Sequence, residues 1–278
     1  MSLRKYCSSF VPIFLGVILI SCGASAQKQK SESSQSQSQS TENKVVAAPK
    51  FHTAKIVNTY NHDQNAYTQG LLFDGGQLYE STGQYGLSSL RAVDLATGKV
   101  VRNQNLSSDC FGEGLALEGG KLYQLTWREG KIFVYEAKTF RKVATYDLNG
   151  EGWGITSCDG KLYVSNGSST IQVFRATDLT VIGQFEVVSD RGPVAELNEL
   201  EWIDGRIWAN IYMSSMVAII NPESGVVEAM VDCSALGRRI KNPKADVQNG
   251  IAYDSVGRKV YMTGKNWEKL FEIELSNR

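Results

Sequence analysis

Hydrophobic and polar residues alternate over short stretches through most of the chain, and glycine-containing turns interrupt them at intervals. This alternation is typical of antiparallel β-strands. Helical periodicity is almost absent, apart from a short helical turn predicted within 233–241. One pattern, a turn followed by an apolar–aromatic pair, recurs five times, about 40 to 53 residues apart. The pairs are Leu78-Tyr79, Leu122-Tyr123, Leu162-Tyr163, Ile207-Trp208 and Val260-Tyr261.

Each repeat has room for a second hairpin, and four strands in roughly 40 to 45 residues is the size of a β-propeller blade. The sequence therefore predicts an all-β fold, a five-bladed β-propeller, with a β-sandwich as the alternative. The last repeat, from Gly250 onward, has room for only three strands. We expect the segment Ala54–Tyr60 to pair with this last blade and close the ring, because an open array would leave exposed sheet edges.

The N-terminal part of the chain does not carry the repeat. Residues 1–22 combine Arg4 and Lys5 with a short apolar stretch, which predicts a secretory signal. Its end resembles a bacterial lipobox, so we expect lipidation of Cys22. The alternative is an ordinary signal that is cut after Ala24 or Ala26 and takes Cys22 with it.

Residues 23–50 are rich in Ser and Gln and nearly devoid of apolar side chains, which predicts a flexible tether. The predicted organisation is thus a signal at 1–22, a tether at 23–50 and one catalytic domain at 51–278. A protein of this kind would cross the inner membrane and face the periplasm or the cell surface. It would be held to a membrane only by its lipid anchor.

Composition narrows the function classes. The chain has 29 Lys and Arg against 29 Asp and Glu, so no basic patch predicts nucleic-acid binding. Cys110, Cys158 and Cys233 are an odd number in the predicted domain, so at least one thiol should be free. No His/Cys/Asp cluster has metal-ligand spacing, and we expect no catalytic metal and no cofactor. A structural calcium bound by loop carbonyls stays open.

The repeats also align polar residues. A related segment precedes each predicted first strand, and its equivalent positions hold Gln69, Glu113, Trp153, Asn198 and Asn249. Innermost strands line a propeller's channel, so these residues are expected to form a ring at the channel mouth. The residues that follow each second strand are Gly83, Trp127, Gly167, Tyr212 and Lys265. Because the two strands are antiparallel, both sets should share one face, and Trp127, Tyr212 and Lys265 should stand over the same pocket.

Glu113 lies between two glycines, and a carboxylate at a partly desolvated channel mouth has a raised pKa that suits proton transfer. A structural role is the alternative. An alternative interpretation of Gln69 and Asn249 is that their side chains only form hydrogen bonds with loop backbone groups. The alternative for Lys265 is a solvated lysine in a loop. The glycines at these positions are interpreted as turn residues with positive φ.

Taken together, the motifs are similar to those of one family, the plant-type glutaminyl-peptide cyclotransferases that are also found in bacteria. The resemblance covers roughly residues 52–275. It is carried by Tyr67-Thr-Gln-Gly-Leu71, Phe111-Gly-Glu-Gly-Leu115, Leu125-Thr-Trp127, Gly152-Trp-Gly154, Leu197-Asn-Glu-Leu-Glu201, Ala209-Asn-Ile-Tyr212, Asn249-Gly-Ile-Ala-Tyr-Asp254 and Thr263-Gly-Lys-Asn-Trp267. The order of these motifs along the chain makes the resemblance specific.

The resemblance implies an acyltransferase that cyclises the N-terminal glutamine of peptides or proteins to pyroglutamate and releases ammonia without catalytic zinc. It implies Glu113 as the catalytic carboxylate, with Asn198 and Lys265 as its polar partners. The implied substrate-binding residues are Gln69, Phe111, Trp127, Trp153, Tyr67, Tyr212 and Asn249. Tyr67 stands where members of the family often have Phe, and Tyr212 stands where some members have an indole. These two differences put the packing of the substrate in question, but not the catalysed reaction.

Two other functions stay open on the sequence alone, because a fold does not fix a function. One is a propeller binding module without catalysis. The other is a metal-dependent propeller hydrolase or lactonase, which is disfavoured because only one carboxylate reaches the predicted inner ring.

Overall fold

The computed structural model of the protein describes residues 46–277. The predicted signal at 1–22, its lipidation site Cys22 and the tether up to residue 45 lie outside the described residues. Within residues 46–277 the regular secondary structure is almost entirely β-strand. Its helix α1, Ser234–Gly237, confirms the short turn predicted in this region. No helix of this part of the chain is long and apolar enough to cross a lipid bilayer.

Three sheets have four antiparallel strands each, paired in sequence order. The first holds β2 (Thr68–Asp74), β3 (Gln77–Thr82), β4 (Ser89–Val93) and β5 (Val100–Asn105). The second holds β6 (Gly112–Glu118), β7 (Lys121–Thr126), β8 (Lys131–Glu136) and β9 (Lys142–Asp147). The third holds β10 (Ile155–Cys158), β11 (Lys161–Val164), β12 (Thr170–Arg175) and β13 (Val181–Glu186). A small hairpin, β14 (Val188–Ser189) with β15 (Gly192–Pro193), follows.

The remaining strands form one eight-stranded sheet. They are β16 (Leu197–Ile203), β17 (Arg206–Ile211), β18 (Met216–Ile220), β19 (Val227–Asp232), β20 (Gln248–Asp254), β21 (Lys259–Gly264), β22 (Lys269–Asn277) and β1 (Lys50–Asn61). The N-terminal β1 pairs antiparallel with the C-terminal β22, which confirms the predicted pairing of the two chain ends. The start of β1 also runs parallel to β19 and joins two groups of four strands into one sheet.

The turn sequences explain why the repeated hairpins form. Between β10 and β11, Asp159 and Gly160 have φ of 50° and 71°, so both central residues of this two-residue turn are left-handed. This is the type I′ geometry whose twist matches that of the flanking strands. The apolar residue that follows the turn, Leu162, is fully buried between sheets.

The first strand of each repeat is buried, and the fourth strand of the first three sheets is largely exposed. The first strands contact one another in the cyclic order β2, β6, β10, β16, β20 and back to β2. Apolar clusters fill the space between neighbouring sheets. Cys110 and Cys233 are buried free thiols, as the odd cysteine count predicted.

Candidate active site

Four of the five aligned polar residues lie at irregularities in the first strands. In the ladders with the second strands, the register shifts at Gln69, Glu113, Asn198 and Asn249. These residues therefore lie within β2, β6, β16 and β20 rather than before them, which corrects the prediction. A β-bulge re-aims a side chain and is common next to active sites. The repeat thus places one re-aimed polar side chain on each of four inner strands.

Trp153 is the exception, because it lies two residues before β10. Its backbone N–H donates to the backbone carbonyl of Ser165 at 3.0 Å, which holds it in place. The second predicted set lies where expected. Trp127, Tyr212 and Lys265 directly follow β7, β17 and β21. Each donates its backbone N–H to a residue just before or at the start of the neighbouring first-strand segment, for example Trp127 to the Phe111 carbonyl at 3.0 Å.

A chain of hydrogen bonds fixes which side-chain groups donate and which accept around Glu113. Asn249 Nδ2 donates to the backbone carbonyl of Thr68 at 3.0 Å and to Gln69 Oε1 at 3.1 Å. Gln69 Nε2 in turn donates to Glu113 Oε1 at 2.8 Å. Because a backbone carbonyl can only accept, it determines which way both amides face. Asn249 therefore binds a backbone group, as the alternative interpretation from the sequence suggested, and it also orients Gln69.

Asn198 stands at the equivalent bulge without joining this chain. Its side chain is 3 % exposed, and its Oδ1 has no hydrogen-bond partner among the described residues. A buried acceptor without a donor is unfavourable unless a ligand supplies one. The structure thus brings Gln69, Glu113 and Asn249 into one hydrogen-bonded group, and it leaves Asn198 Oδ1, like Asn249 Oδ1, without a donor among the described residues.

Aromatic rings surround this polar group. The aromatic rim consists of Tyr67, Phe111, Trp127, Trp153 and Tyr212, with Lys265 between its two tyrosines. Ring centroids are 6.1 Å apart for Tyr67 and Phe111, 5.5 Å for Phe111 and Trp127, and 5.6 Å for Trp153 and Tyr212, all edge-to-face. Edge-to-face pairs are a favoured aromatic geometry. The rim supplies the apolar walls that small-molecule pockets usually have.

Lys265 is not a solvated loop lysine. It is 3 % exposed, and its Nζ lies 5.0 Å from the centre of the Tyr67 ring and 4.9 Å from that of Tyr212. Such cation–π contacts stabilise an ammonium that has lost much of its water. The Tyr67 hydroxyl donates to Asp246 Oδ2 at 2.9 Å, which holds this ring in place.

The electrostatics draw Glu113 and Lys265 toward their neutral forms. Burial raises the pKa of the Glu113 carboxyl well above its ordinary value; Lys265 opposes this rise, and the carboxylates of Glu151 and Glu129 add to it. Burial likewise lowers the pKa of Lys265, against the opposing effect of Glu113 and Asp246. A carboxyl whose pKa is raised toward neutrality exchanges protons readily at physiological pH.

The sequence did not single out Glu151, which precedes the Gly-Trp-Gly motif. Its Oε2 accepts the indole N–H of Trp127 at 2.8 Å and that of Trp153 at 3.0 Å. Glu129 was missed in the same way; its carboxylate accepts the backbone N–H of Phe111 at 3.1 Å. The position of Glu151 in the repeat is held elsewhere by Tyr67, Phe111, Glu196 and Val247, and that of Glu129 by Tyr85, Ser169, Ser214 and Trp267. Neither position keeps one residue type across the repeats, so alignment of the repeats carried no signal for them.

Glu199, next to Asn198, was also not singled out. Its buried carboxyl accepts backbone N–H groups of Leu71 at 3.2 Å and Ile251 at 3.0 Å, and the Asn210 side chain at 3.1 Å. Burial raises its pKa well above the ordinary value. Because all of these partners belong to the protein, Glu199 ties β16 to β2 and β20 and has a structural role.

Two glycines support the rim in different ways. Gly167 has φ of +83°, as predicted, and a side chain there would also overlap the Trp153 ring, 2.7 Å from Cη2. Gly83 does not have the predicted positive φ. A Cβ on it would lie 2.2 Å from Phe111 Cε1, so glycine is required because the ring packs against its Cα. Within residues 46–277 no group of three or more His, Cys, Asp or Glu side chains is arranged to hold a metal ion.

A buried carboxyl, oriented amides and a lysine inside an aromatic rim give this all-β protein a site suited to an enzyme that transfers protons on a small polar substrate. The sequence profile of the glutamine cyclotransferase family matches residues 24–275. The chain belongs to this family, which confirms the resemblance found in its motifs.

Two relatives give the extent of the similarity. The chain is 37% identical over 232 residues to the glutaminyl-peptide cyclotransferase of Arabidopsis thaliana, a match that covers 81% of this chain and 72% of the relative. Its structure is similar to the crystal structure of Myxococcus xanthus glutaminyl cyclase, with a TM-score of 0.78 and 38% sequence identity. That similarity covers 83% of this chain and 99% of the other.

Proposed function

We propose that this protein is a glutaminyl-peptide cyclotransferase, an acyltransferase that converts the N-terminal glutamine of peptides or proteins to pyroglutamate and releases ammonia. Its family membership and its relatives support this reaction. The observation that carries the proposal is the buried Glu113, oriented by Gln69 and enclosed by the aromatic rim.

In the proposed reaction the neutral α-amine of the substrate attacks the carbon of its own side-chain amide. A bond forms between the α-nitrogen and this carbon, and the bond to the amide nitrogen breaks, leaving a lactam and ammonia. Glu113 takes a proton from the attacking amine and passes it to the leaving nitrogen. Glu113 Oε1 already accepts from Gln69, so Oε2 is the oxygen that serves the substrate.

Negative charge develops on the amide oxygen as the amine attacks, and a positioned donor stabilises it. We assign this donor to Lys265, because its buried ammonium presents N–H donors at the rim beside Tyr67 and Tyr212, whereas one of the two N–H groups of Gln69 is committed to Glu113. The unsatisfied Oδ1 of Asn198 accepts an N–H of the substrate. The aromatic rim folds the substrate side chain back onto its own amine, and in an intramolecular reaction this positioning supplies much of the rate advantage.

We further propose that residues 51–278 form a five-bladed β-propeller. The support is the cyclic contact of five first strands and the closing pair of β1 and β22. Three blades correspond to the separate four-stranded sheets, and the other two correspond to the groups β16–β19 and β20–β22 with β1.

We also propose export and lipidation at Cys22, with the tether at 23–50 holding the enzyme off the membrane at the periplasmic or cell-surface side. The support is the lipobox-like sequence Leu19-Ile20-Ser21-Cys22-Gly23. In a bacterial host, labelled palmitate should be incorporated into the full chain and not into Cys22→Ser. Label in both proteins, or in neither, would contradict lipidation at this residue.

The experiment that tests the function is incubation of the purified protein with a Gln-initiated dipeptide, followed by assays of ammonia and of the pyroglutamyl product. We expect both products in equal amounts, and no ammonia from the matched Asn-initiated dipeptide, whose shorter side chain would have to close a strained four-membered ring. The proposed steps use side-chain groups alone, so a chelator should leave turnover intact. Absence of both products would overturn the function.

A further inference from the structure

One carboxylate oxygen joins two indoles that belong to different sheets. Glu151 lies in the connection between β9 and β10. Its Oε2 accepts the N–H of Trp127, which follows β7, at 2.8 Å, and the N–H of Trp153, which precedes β10, at 3.0 Å. Hydrogen bonds to a charged acceptor are stronger and more directional than ring-to-ring contacts. Glu151 therefore fixes both rings relative to each other as well as to the backbone.

The second oxygen of the same carboxylate is also engaged. Arg128 Nε lies 3.5 Å from Glu151 Oε1, and the Arg128 guanidinium carbon lies 3.9 Å from the centre of the Trp127 ring. Trp127 is thus held at its N–H by Glu151, on one face by Arg128 and at its edge by Phe111.

Glu151 also closes the aromatic rim. Contacts run from Trp153 through Tyr212 and Lys265 to Tyr67, and from Tyr67 through Phe111 to Trp127. No direct ring contact joins Trp127 to Trp153 among the described residues, and Glu151 bridges that gap. Without an acceptor there, both indoles would lose the hydrogen bonds that fix their orientation relative to each other.

We propose that Glu151 is a positioning residue for the cyclisation, and that it holds Trp127 and Trp153 as a single clamp on the glutamine side chain of the substrate. This inference rests on the proposed function. Glu151 acts through the two indoles and not through contact with the reacting atoms. The requirement is for an acceptor oxygen at this place, so an amide oxygen should replace the carboxylate.

Three variants test the acceptor requirement on the plateau of the pH–rate profile, where the charge of Glu151 no longer affects the protonation of Glu113. Glu151→Ala removes the acceptor and should raise KM for a Gln-initiated dipeptide by roughly 10- to 100-fold, with a smaller loss in kcat. Glu151→Gln keeps an acceptor oxygen for the two indoles and gives up the negative charge with its exposed Arg128 pair, so it should stay within about threefold of the parent protein. Glu223→Ala removes an exposed glutamate between β18 and β19 and should change nothing.

A double-mutant cycle then asks whether Glu151 acts through the indoles. Trp127→Phe with Trp153→Phe removes both N–H donors, and adding Glu151→Ala to this pair should cause little further loss in kcat/KM. The same added loss in both backgrounds would overturn the proposal, as would an unchanged KM in Glu151→Ala. If circular dichroism shows that Glu151→Ala does not fold, the two indole N–H donors are tested instead. Trp127→Phe with Trp153→Phe should then raise KM, and Glu151→Gln added to that pair should change little.

Failure of the inference and failure of the function are distinguishable. If the parent protein releases no ammonia from the dipeptide, the proposed function is wrong. If it does so and the Glu151 variants behave like the Glu223 control, only the positioning role is wrong.

Discussion

A single backbone carbonyl determines the hydrogen-bond direction around the proposed catalytic group. The Thr68 carbonyl accepts from Asn249, Asn249 donates to Gln69, and Gln69 donates to Glu113. A donor held against one carboxylate oxygen stabilises the charged form, while burial of the same group raises its pKa. The balance keeps Glu113 able to accept a proton from an amine and to return it.

The pH dependence of turnover tests this balance. Glu113 must be a carboxylate to act as a base, so activity should fall as the pH drops through its raised pKa. Glu129 contributes to the rise, and Glu129→Gln should therefore move the acidic limb of kcat/KM to lower pH by a fraction of a unit. The α-amine of the substrate titrates equally with both proteins, so the difference between the two profiles isolates the enzyme. A shift to higher pH would contradict the electrostatic account.

Four of the five first strands deliver their polar residue by the same local device, an extra residue in the ladder with the neighbouring strand. The bulge at β16 delivers two residues, Asn198 and Glu199, with different roles. Asn198 keeps a buried oxygen without a partner, whereas Glu199 is fully engaged by backbone groups of β2 and β20. Neighbouring groups on one strand therefore differ in use: the Glu199 carboxyl joins three strands, whereas the Asn198 amide keeps the acceptor that the proposed reaction assigns to the substrate.

Removal of Glu199 should weaken the fold. Glu199→Ala would leave the buried N–H groups of Leu71 and Ile251 without acceptors, and each such group costs about 1 to 3 kcal/mol. We expect the free energy of unfolding, measured by urea denaturation, to fall by about 2 to 5 kcal/mol. Glu223→Ala, on an exposed turn, serves as the control. Equal stability of the two variants would show that Glu199 does not hold the strands together.

At the scale of the whole molecule, β1 joins the two ends of the chain. It pairs with β22 on one side and with β19 on the other, and Ala54 and Ile56 pack into the cluster between the two four-strand groups of the eight-stranded sheet. Closure leaves neither β22 nor β19 with an open edge at this junction, which an isolated array of sheets would have exposed.

Truncation tests the contribution of β1. A chain that starts at residue 46 keeps β1 and should unfold cooperatively on heating. A chain that starts at residue 62 lacks β1 and should lose the cooperative transition, because two strand edges and an apolar cluster become exposed. Circular dichroism with thermal melting distinguishes the two. A cooperative melt of the shorter chain at the same temperature would contradict the role of β1 in closure.

The sequence predicted the features that occupy equivalent positions in the repeats. Equivalent positions gave Gln69, Glu113, Asn198 and Asn249, and the spacing of the last repeat predicted the pairing of the chain ends. The role of Glu151 depends on two side chains that converge from different sheets. The equivalent position in the other repeats holds Tyr67, Phe111, Glu196 and Val247, which share no common chemistry and therefore do not mark it. Gly83 was misread for a related reason, since the ring that packs on it comes from a residue 28 positions away, Phe111.

The central claim is that Glu113 transfers the proton in glutamine cyclisation, and one variant tests it most directly. Glu113→Gln keeps the size and the polar contacts of the side chain but removes the base. With an unchanged circular dichroism spectrum, it should release ammonia from a Gln-initiated dipeptide more than about 100-fold more slowly than the parent protein. Turnover close to that of the parent would contradict the account.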